Sequence, residues 1–117
     1  MTTSLYELNC TRVNKNDDPA TVEQIREWIK ELDAWKIGKV EGKDRLTKEF
    51  KFGNFMNALN FTNQVGELAE KQDHHPVIVT EWGKVTVTLW THVIDGLHKN
   101  DFILAAKIDK IFNNGGL

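Results

Sequence analysis

Three of the four histidines in this 117-residue chain, His74, His75 and His92, lie in one short stretch with an acidic residue on either side. An imidazole changes its charge near neutral pH, so three of them together indicate proton transfer or metal binding more than packing. Glu70 precedes the group and Asp101 follows it. We therefore predict that the fold brings these side chains into one pocket.

The two acidic residues could support the imidazoles. Glu70 lies one helical turn before His74, where a carboxylate can hold and polarise an imidazole. An exposed helix carboxylate is the alternative for this residue. Asp101 falls in the first turn of the predicted last helix, where the helix dipole and the free N–H groups favour an acid without any further role.

A metal site is a weaker interpretation of the same histidines. Adjacent histidines are poor neighbours for one metal on a regular element, and neither His-x-His nor His-x-x-x-His spacing is present. The chain has one cysteine, Cys10, and therefore no cysteine pair for zinc. We predict no metal.

The remaining candidates are less specific. Trp82 and Trp90 could pack across strands or stack on a flat heterocycle beside a histidine. His98 precedes the last predicted helix, and we expect it to be a surface residue.

Composition excludes several classes of function. A net charge of −2 gives no electrostatic footprint for nucleic acid. The single cysteine cannot form an internal disulfide, which favours a reducing compartment. The first residues do not form a signal pattern, and no apolar run approaches membrane-spanning length. We expect a cytoplasmic protein with neither a nucleic-acid nor a membrane partner.

Hydrophobic periodicity predicts the elements that must position these groups. Residues 1–18 show no sustained period, so we expect an extended or loosely held arm followed by a single domain over residues 19–117. Lys48 interrupts the apolar alternation of the first hairpin. The predicted helices span 21–33, 55–72 and 99–112, and the predicted hairpins turn at 41–44 and 82–84.

The order α-β-β-α-β-β-α predicts an α+β fold, in which helices cover one face of a four-stranded antiparallel sheet. The apolar stripe of helix 55–72 is wider than one sheet contact needs. A broad core face explains it, and so would contact with another helix or with a second subunit.

The chain also resembles a known family, the pterin-4a-carbinolamine dehydratases, over roughly residues 19–112. The resemblance rests on Glu70, His74-His75-Pro76, Trp82, His92 and Asp101 with matching gaps, and on the surrounding words Glu41-Gly42-Lys43-Asp44 and Leu89-Trp90-Thr91-His92. The family's fold has the same element order. Its reaction removes water from 4a-hydroxytetrahydrobiopterin to give quinonoid dihydropterin, which recycles the cofactor of aromatic amino acid hydroxylases.

The resemblance implies roles for particular residues, and no cofactor. His74 and His92 would be the general acid/base pair, and His75 would bind and orient the pterin within the same catalytic group. Glu70 would support His74, with Pro76 and Asp101 as further supporting residues. Asp73, Trp90, Thr91 and Val93 would line the pocket together with the histidines.

The sequence departs from the family at two of these positions. Members usually carry Ser or Thr where His98 stands, so that Asn100 or water would have to cap the last helix. Several members have a polar residue where this chain has Val93, which affects substrate contact.

A second function remains open. Members of the family in animals also act as dimerisation cofactors of a transcription regulator, so a protein-binding module on the same fold is the alternative. The resemblance and the predicted edge strands also imply a homodimer or homotetramer.

Overall fold

The structure is a computed structural model that describes residues 3–115. It contains three α-helices and four strands, in the order helix, hairpin, helix, hairpin, helix. The elements are α1 (Val22–Ile29), β1 (Lys36–Val40), β2 (Lys43–Lys51), α2 (Phe55–Gln72), β3 (Val77–Glu81), β4 (Lys84–Leu89) and α3 (Lys99–Asn113), with short 3-10 helices at Leu5–Glu7 and His92–Ile94. The α+β fold that the sequence predicts is confirmed.

The four strands form one antiparallel sheet in the order β1-β2-β4-β3. The two hairpins meet where β2 pairs with β4, in a register that sets Leu46 opposite Leu89 and Phe50 opposite Val85. Paired residues point to the same face of a sheet, so these side chains share one face with Val87. All of them are fully buried, whereas Val77 and Val79 on the other face are exposed.

The helices pack on the buried face of the sheet. Their fully buried members include Ala58, Phe61 and Val65 of α2 and Phe102, Leu104 and Ile108 of α3. Aromatic rings fill the centre, with the Phe50 and Phe61 centroids 4.7 Å apart. The core therefore explains most of the broad apolar stripe on α2, and only Phe55 and Met56 in its first turn stand in solvent.

Lys48 does not simply interrupt the apolar alternation of β2. Its side chain is only 8% exposed and its Nζ lies 2.9 Å from Oδ1 of Asp109 on α3. The same carboxylate accepts a hydrogen bond from Nε1 of Trp35 at 2.8 Å and one from the backbone N–H of Asp33 at 3.1 Å. A buried charge is tolerated when it is paired and hydrogen-bonded in this way.

Residues 3–18 of the N-terminal arm make contacts with the rest of the domain. The Leu5 side chain is buried in the core, and the backbone N–H of Leu5 donates to Oε1 of Glu31 at 2.9 Å. The sequence contains no periodic signal for these contacts, because most of them involve backbone groups of the arm. Within residues 3–115, no helix is long and apolar enough to cross a membrane.

Candidate active site

The two adjacent histidines follow directly on the end of α2. Asp73 adopts the left-handed conformation (φ 51°), and its N–H reaches back to the carbonyls of Ala69 and Glu70, which closes the helix. Pro76 restricts the preceding residue to extended backbone and directly precedes β3. His74 and His75 therefore leave the helix on a sharp turn, and their side chains separate.

His74 forms the closest polar contact of the site. Its Nε2 lies 2.6 Å from Oδ1 of Asp101, in the first turn of α3. The His74 side chain is 10% exposed and that of Asp101 is fully buried. A carboxylate that holds an imidazole in this way fixes its orientation and stabilises the imidazolium when a proton arrives.

Asp101 connects three segments of the chain. Its Oδ2 accepts a hydrogen bond from the Thr91 hydroxyl at 2.9 Å and one from the backbone N–H of His98 at 3.0 Å. With Oδ2 accepting twice, we assign Oδ1 as the acceptor for His74 and place a hydrogen on Nε2 of that ring. The neutral ring then presents Nδ1 as its unprotonated nitrogen.

Glu70 does not support His74, contrary to the expectation from helical spacing. Its Oε1 lies 2.8 Å from Nε2 of His75, and this pair is largely exposed, with the Glu70 side chain 81% accessible. The spacing argument requires the helix to continue to residue 74, whereas it ends at Gln72. Asp101 occupies the position beside His74 instead.

His92 lies in a 3-10 turn that follows strand β4. Strand β4 ends at Leu89, after which Thr91 and Gly96 form an isolated bridge that closes a short loop. The His92 ring packs on the Trp90 indole, with centroids 4.4 Å apart and a tilt of 45°. Trp90 also contacts the Arg45 guanidinium, which lies 4.2 Å from the centroid of the indole. This contact holds the indole on which the His92 ring packs.

A cavity of about 530 Å³ lies beside the three histidines. A volume of this order accommodates a small heterocyclic ligand. Of the residues predicted for the site, Asp73, His74, His75, Thr91, His92 and Val93 line the cavity. Trp90, Glu70, Pro76 and Asp101 do not line it, and Trp82 is 69% exposed at the β3–β4 turn.

The cavity has a second wall that the sequence did not reveal. It consists of Cys10, Thr11, Arg12 and Val13 of the arm, together with Gln72 and Asn100. Burial raises the pKa of the Cys10 thiol to about 11, and the Asp101 charge acts in the same direction. The thiol is therefore protonated at neutral pH and is not a nucleophile.

His98 caps α3, which corrects the expectation that Asn100 or water would have to do so. Its Nδ1 accepts a hydrogen bond from the backbone N–H of Asn100 at 3.0 Å, while Asp101 closes the reciprocal half of the capping box. Partial burial lowers the pKa of His98, against the opposing effect of the Asp101 and Asp17 charges. The imidazole thus replaces the hydroxyl expected at this position.

The donor set of the site suits acid–base chemistry. Within residues 3–115, no group of three or more His, Cys, Asp or Glu side chains is arranged to hold a metal ion. What the geometry defines is a small α+β protein with a carboxylate-held imidazole beside a cavity that two further histidines line.

Comparison with known proteins places that class in a family. The family model described as pterin 4 alpha carbinolamine dehydratase matches residues 18–111. A relative from Microcystis aeruginosa is 47% identical over 94% of this chain and 95% of its own, and one from Vibrio vulnificus is 52% identical over 92% and 97%. Both carry the name "Putative pterin-4-alpha-carbinolamine dehydratase". The chain belongs to this family.

Solved structures agree with the fold. A crystal structure from Brucella melitensis, described as a transcriptional coactivator/pterin dehydratase, matches with a TM-score of 0.72 and 36% identity over 80% of this chain and 98% of that one. A pterin dehydratase-like protein described as a RuBisCO assembly factor matches with a TM-score of 0.58, over 69% of this chain and 92% of its own. At 22% identity, the second match shows the fold alone.

Proposed function

We propose that the protein is a 4a-hydroxytetrahydrobiopterin dehydratase, which removes water from the 4a-hydroxy pterin to give quinonoid dihydropterin. Family membership supports the reaction class, and the His74–Asp101 pair beside the cavity is the observation that carries the assignment. The reaction recycles the pterin cofactor of an aromatic amino acid hydroxylase, which is the functional partner that this activity implies.

The chemistry requires one base and one acid. The base removes the proton from N5, the electron pair forms the C4a–N5 double bond, and the C4a–O bond breaks. The acid protonates the departing hydroxide to give water. Neither step transfers electrons to a second molecule, so the proposal includes no cofactor and no metal.

His74 serves as the base in this proposal. Its Nε2–H donates to Asp101, so Nδ1 carries the free lone pair. When Nδ1 takes the N5 proton, the buried carboxylate stabilises the imidazolium. One positioned acid or base contributes a rate factor of roughly 10²–10⁴.

His92 serves as the acid and His75 orients the substrate. Within the described residues, no side-chain hydrogen bond or ion pair engages the His92 ring, so its nitrogens are available to a ligand, while Trp90 limits its rotation. His75 already shares Nε2 with Glu70, which suits binding more than proton transfer.

Stopped-flow absorbance with freshly generated 4a-hydroxytetrahydrobiopterin tests the proposal. We expect wild type to accelerate dehydration. In His74→Ala, kcat should fall by a factor of roughly 10²–10⁴. Trp82→Ala removes an exposed aromatic outside the cavity and should match wild type. Equal turnover by wild type and His74→Ala would overturn the assignment of the base.

A protein-binding module is the second candidate. Phe55 and Met56 favour it, since they are 45% and 59% exposed at the start of α2. If wild type fails to accelerate dehydration, binding through this end of α2 becomes the leading function. Phe55→Ser would then abolish binding of a partner protein, while the residues that line the cavity stay unchanged.

We also propose a homodimer or homotetramer, and a cytoplasmic location. β3 is an edge strand, and its Val77 and Val79 side chains are exposed on the open face of the sheet. Unpaired edge strands are sites of chain-to-chain association. Light scattering at several concentrations distinguishes a dimer from a tetramer, and a monomer at all of them would refute the proposal.

A further inference from the structure

One wall of the cavity lies outside the residues that the family model matches. Residues Cys10–Val13 of the arm line the cavity, whereas the family model begins at residue 18 and contains the histidine motif. A contact from this wall would therefore belong to the arm and not to the shared catalytic motif.

Two side chains hold the arm at the cavity, Gln72 and Asn100. Oε1 of Gln72 accepts from the backbone N–H of Cys10 at 2.8 Å. Asn100 pairs with the backbone of Thr11 in both directions, with its Oδ1 2.9 Å from the N–H and its Nδ2 2.6 Å from the carbonyl oxygen. Asn100 is 3% exposed, so these bonds are shielded from water.

The same two side chains adjoin the catalytic machinery. Gln72 is the last residue of α2 and immediately precedes Asp73 and His74, and Asn100 immediately precedes Asp101. The arm is consequently held by residues that adjoin the His74–Asp101 pair in sequence.

Arg12 is the cationic side chain of this wall. It is exposed and lines the cavity, and within residues 3–115 no hydrogen bond or ion pair engages its guanidinium. A guanidinium offers five donors in one plane and suits flat, oxygen-bearing ligands. A pterin is a flat heterocycle with a ring carbonyl and, in biopterin, side-chain hydroxyls.

We propose that Arg12 is a substrate-binding residue that donates hydrogen bonds to the oxygen atoms of the pterin, and that Gln72 and Asn100 are positioning residues that hold it over the cavity. This inference rests on the proposed function. The contact forms equally in the ground state and the transition state, so it affects KM and the dissociation constant but not kcat.

Isothermal titration calorimetry with 7,8-dihydrobiopterin tests the role of Arg12 without requiring turnover. We expect Arg12→Ala to weaken binding about tenfold, the lower end for a charged hydrogen bond because the site is open to water. Arg12→Lys keeps the charge and should recover part of the loss. Lys15→Ala removes a charge from the same arm outside the cavity and should bind like wild type.

The 6-methyl analogue of 7,8-dihydropterin lacks the side-chain hydroxyls of dihydrobiopterin. Comparing the two ligands identifies which oxygen atoms accept hydrogen bonds from Arg12. A loss confined to dihydrobiopterin assigns Arg12 to the side chain, and a loss with both ligands assigns it to the ring. Equal affinities of wild type and Arg12→Ala for both ligands would overturn the inference. An equal loss in Lys15→Ala would also overturn it, because general electrostatic attraction would then be sufficient.

Gln72 supplies the test of positioning. Gln72→Ala should weaken binding, and Gln72→Glu, which retains an acceptor for the Cys10 N–H, should recover much of the loss. If Gln72 acts through Arg12, the variant that combines Gln72→Ala with Arg12→Ala binds dihydrobiopterin no more weakly than Arg12→Ala alone. Additive losses would refute the positioning role.

The outcome for wild type separates this inference from the proposed function. Wild type that binds the pterin but does not accelerate dehydration refutes the dehydratase assignment and leaves the Arg12 comparison valid. Wild type that binds and turns over, with Arg12→Ala unchanged in both, refutes the inference alone. Wild type that does not bind the pterin overturns both.

Discussion

Asp101→Asn is the substitution that tests the site most directly. The amide keeps the size of the side chain but carries one oxygen and one NH₂ group. Two donors, the Thr91 hydroxyl and the His98 N–H, already converge on Oδ2, so the amide oxygen should take that place. The NH₂ group then faces Nε2 of His74 at the position of Oδ1.

This arrangement reverses the tautomer of His74. Nε2 must accept a hydrogen bond from the amide, so the ring hydrogen moves to Nδ1, and the nitrogen that should act as the base no longer has a lone pair. The expected loss in kcat is that of one positioned base, roughly 10²–10⁴. That corresponds to about 3–5 kcal/mol of transition-state stabilisation.

Folding should survive the change. Two of the three hydrogen bonds to Asp101 persist, and the third exchanges a charged for a neutral partner, which costs about 1–2 kcal/mol. Urea unfolding measures this cost, and stopped-flow absorbance measures kcat. Thr91→Val is the matched variant for kcat, because it removes one bond to Asp101 and leaves the tautomer of His74 unchanged. Since Thr91 also lines the cavity, its KM is not part of the comparison.

Combining Asp101→Asn with His74→Ala completes the test. If the carboxylate acts through the imidazole, the double variant is no slower than His74→Ala alone. A folded Asp101→Asn protein with kcat within threefold of wild type would refute the reasoning, and so would an equal loss in Thr91→Val.

The structure supports three further predictions. Glu70→Gln should change kcat less than about threefold, because the carboxylate contacts only the exposed His75; a loss near that of a positioned base, measured by the same stopped-flow assay, would contradict the observed pairing. Lys48→Met should lower the free energy of unfolding in urea by about 3 kcal/mol, because the buried Asp109 loses its cation, while kcat stays unchanged. His98→Ser should make the free energy of unfolding less sensitive to acid. The pKa of His98 is lower in the folded than in the unfolded protein. The wild type is therefore stabilised above about pH 6.5 and loses this contribution as the pH falls through the folded pKa. Urea midpoints at pH 5 and 7.5 measure this difference, and an identical drop in both proteins would exclude His98 as its source.

Periodicity is clearest for β2, α2 and β4, because each of these elements has one buried face. The alternation of Val85, Val87 and Leu89 indicated β4, and all three are fully buried. The first helix was predicted too long, since Leu32 continues the apolar spacing beyond Ile29. Turns in which the N–H of Glu31 and of Leu32 reach the third residue back replace the helix there.

The histidine motif predicted side chains that line one cavity, but it did not predict their contacts. The partner of His74 lies 27 residues away on another helix, and no local spacing rule reaches that far. The choice of Glu70 failed because Asp73 takes a left-handed conformation and turns the chain out of the helix. The contact between the arm and the cavity was missed for a related reason. Gln72 and Asn100 bind backbone groups of the arm, and such groups leave no signal in the residue types.

The buried Lys48–Asp109 pair has a consequence for how this sequence can diverge. A change at position 48 alone leaves a carboxylate without its cation in the core, and a change at position 109 alone leaves an ammonium group and the Trp35 indole N–H without their acceptor. Either intermediate is costly, whereas joint replacement by apolar residues of similar volume can be nearly neutral. Positions 48 and 109 should therefore covary among homologous sequences although they lie on different elements, and position 35 should retain an indole only where position 109 retains its acceptor.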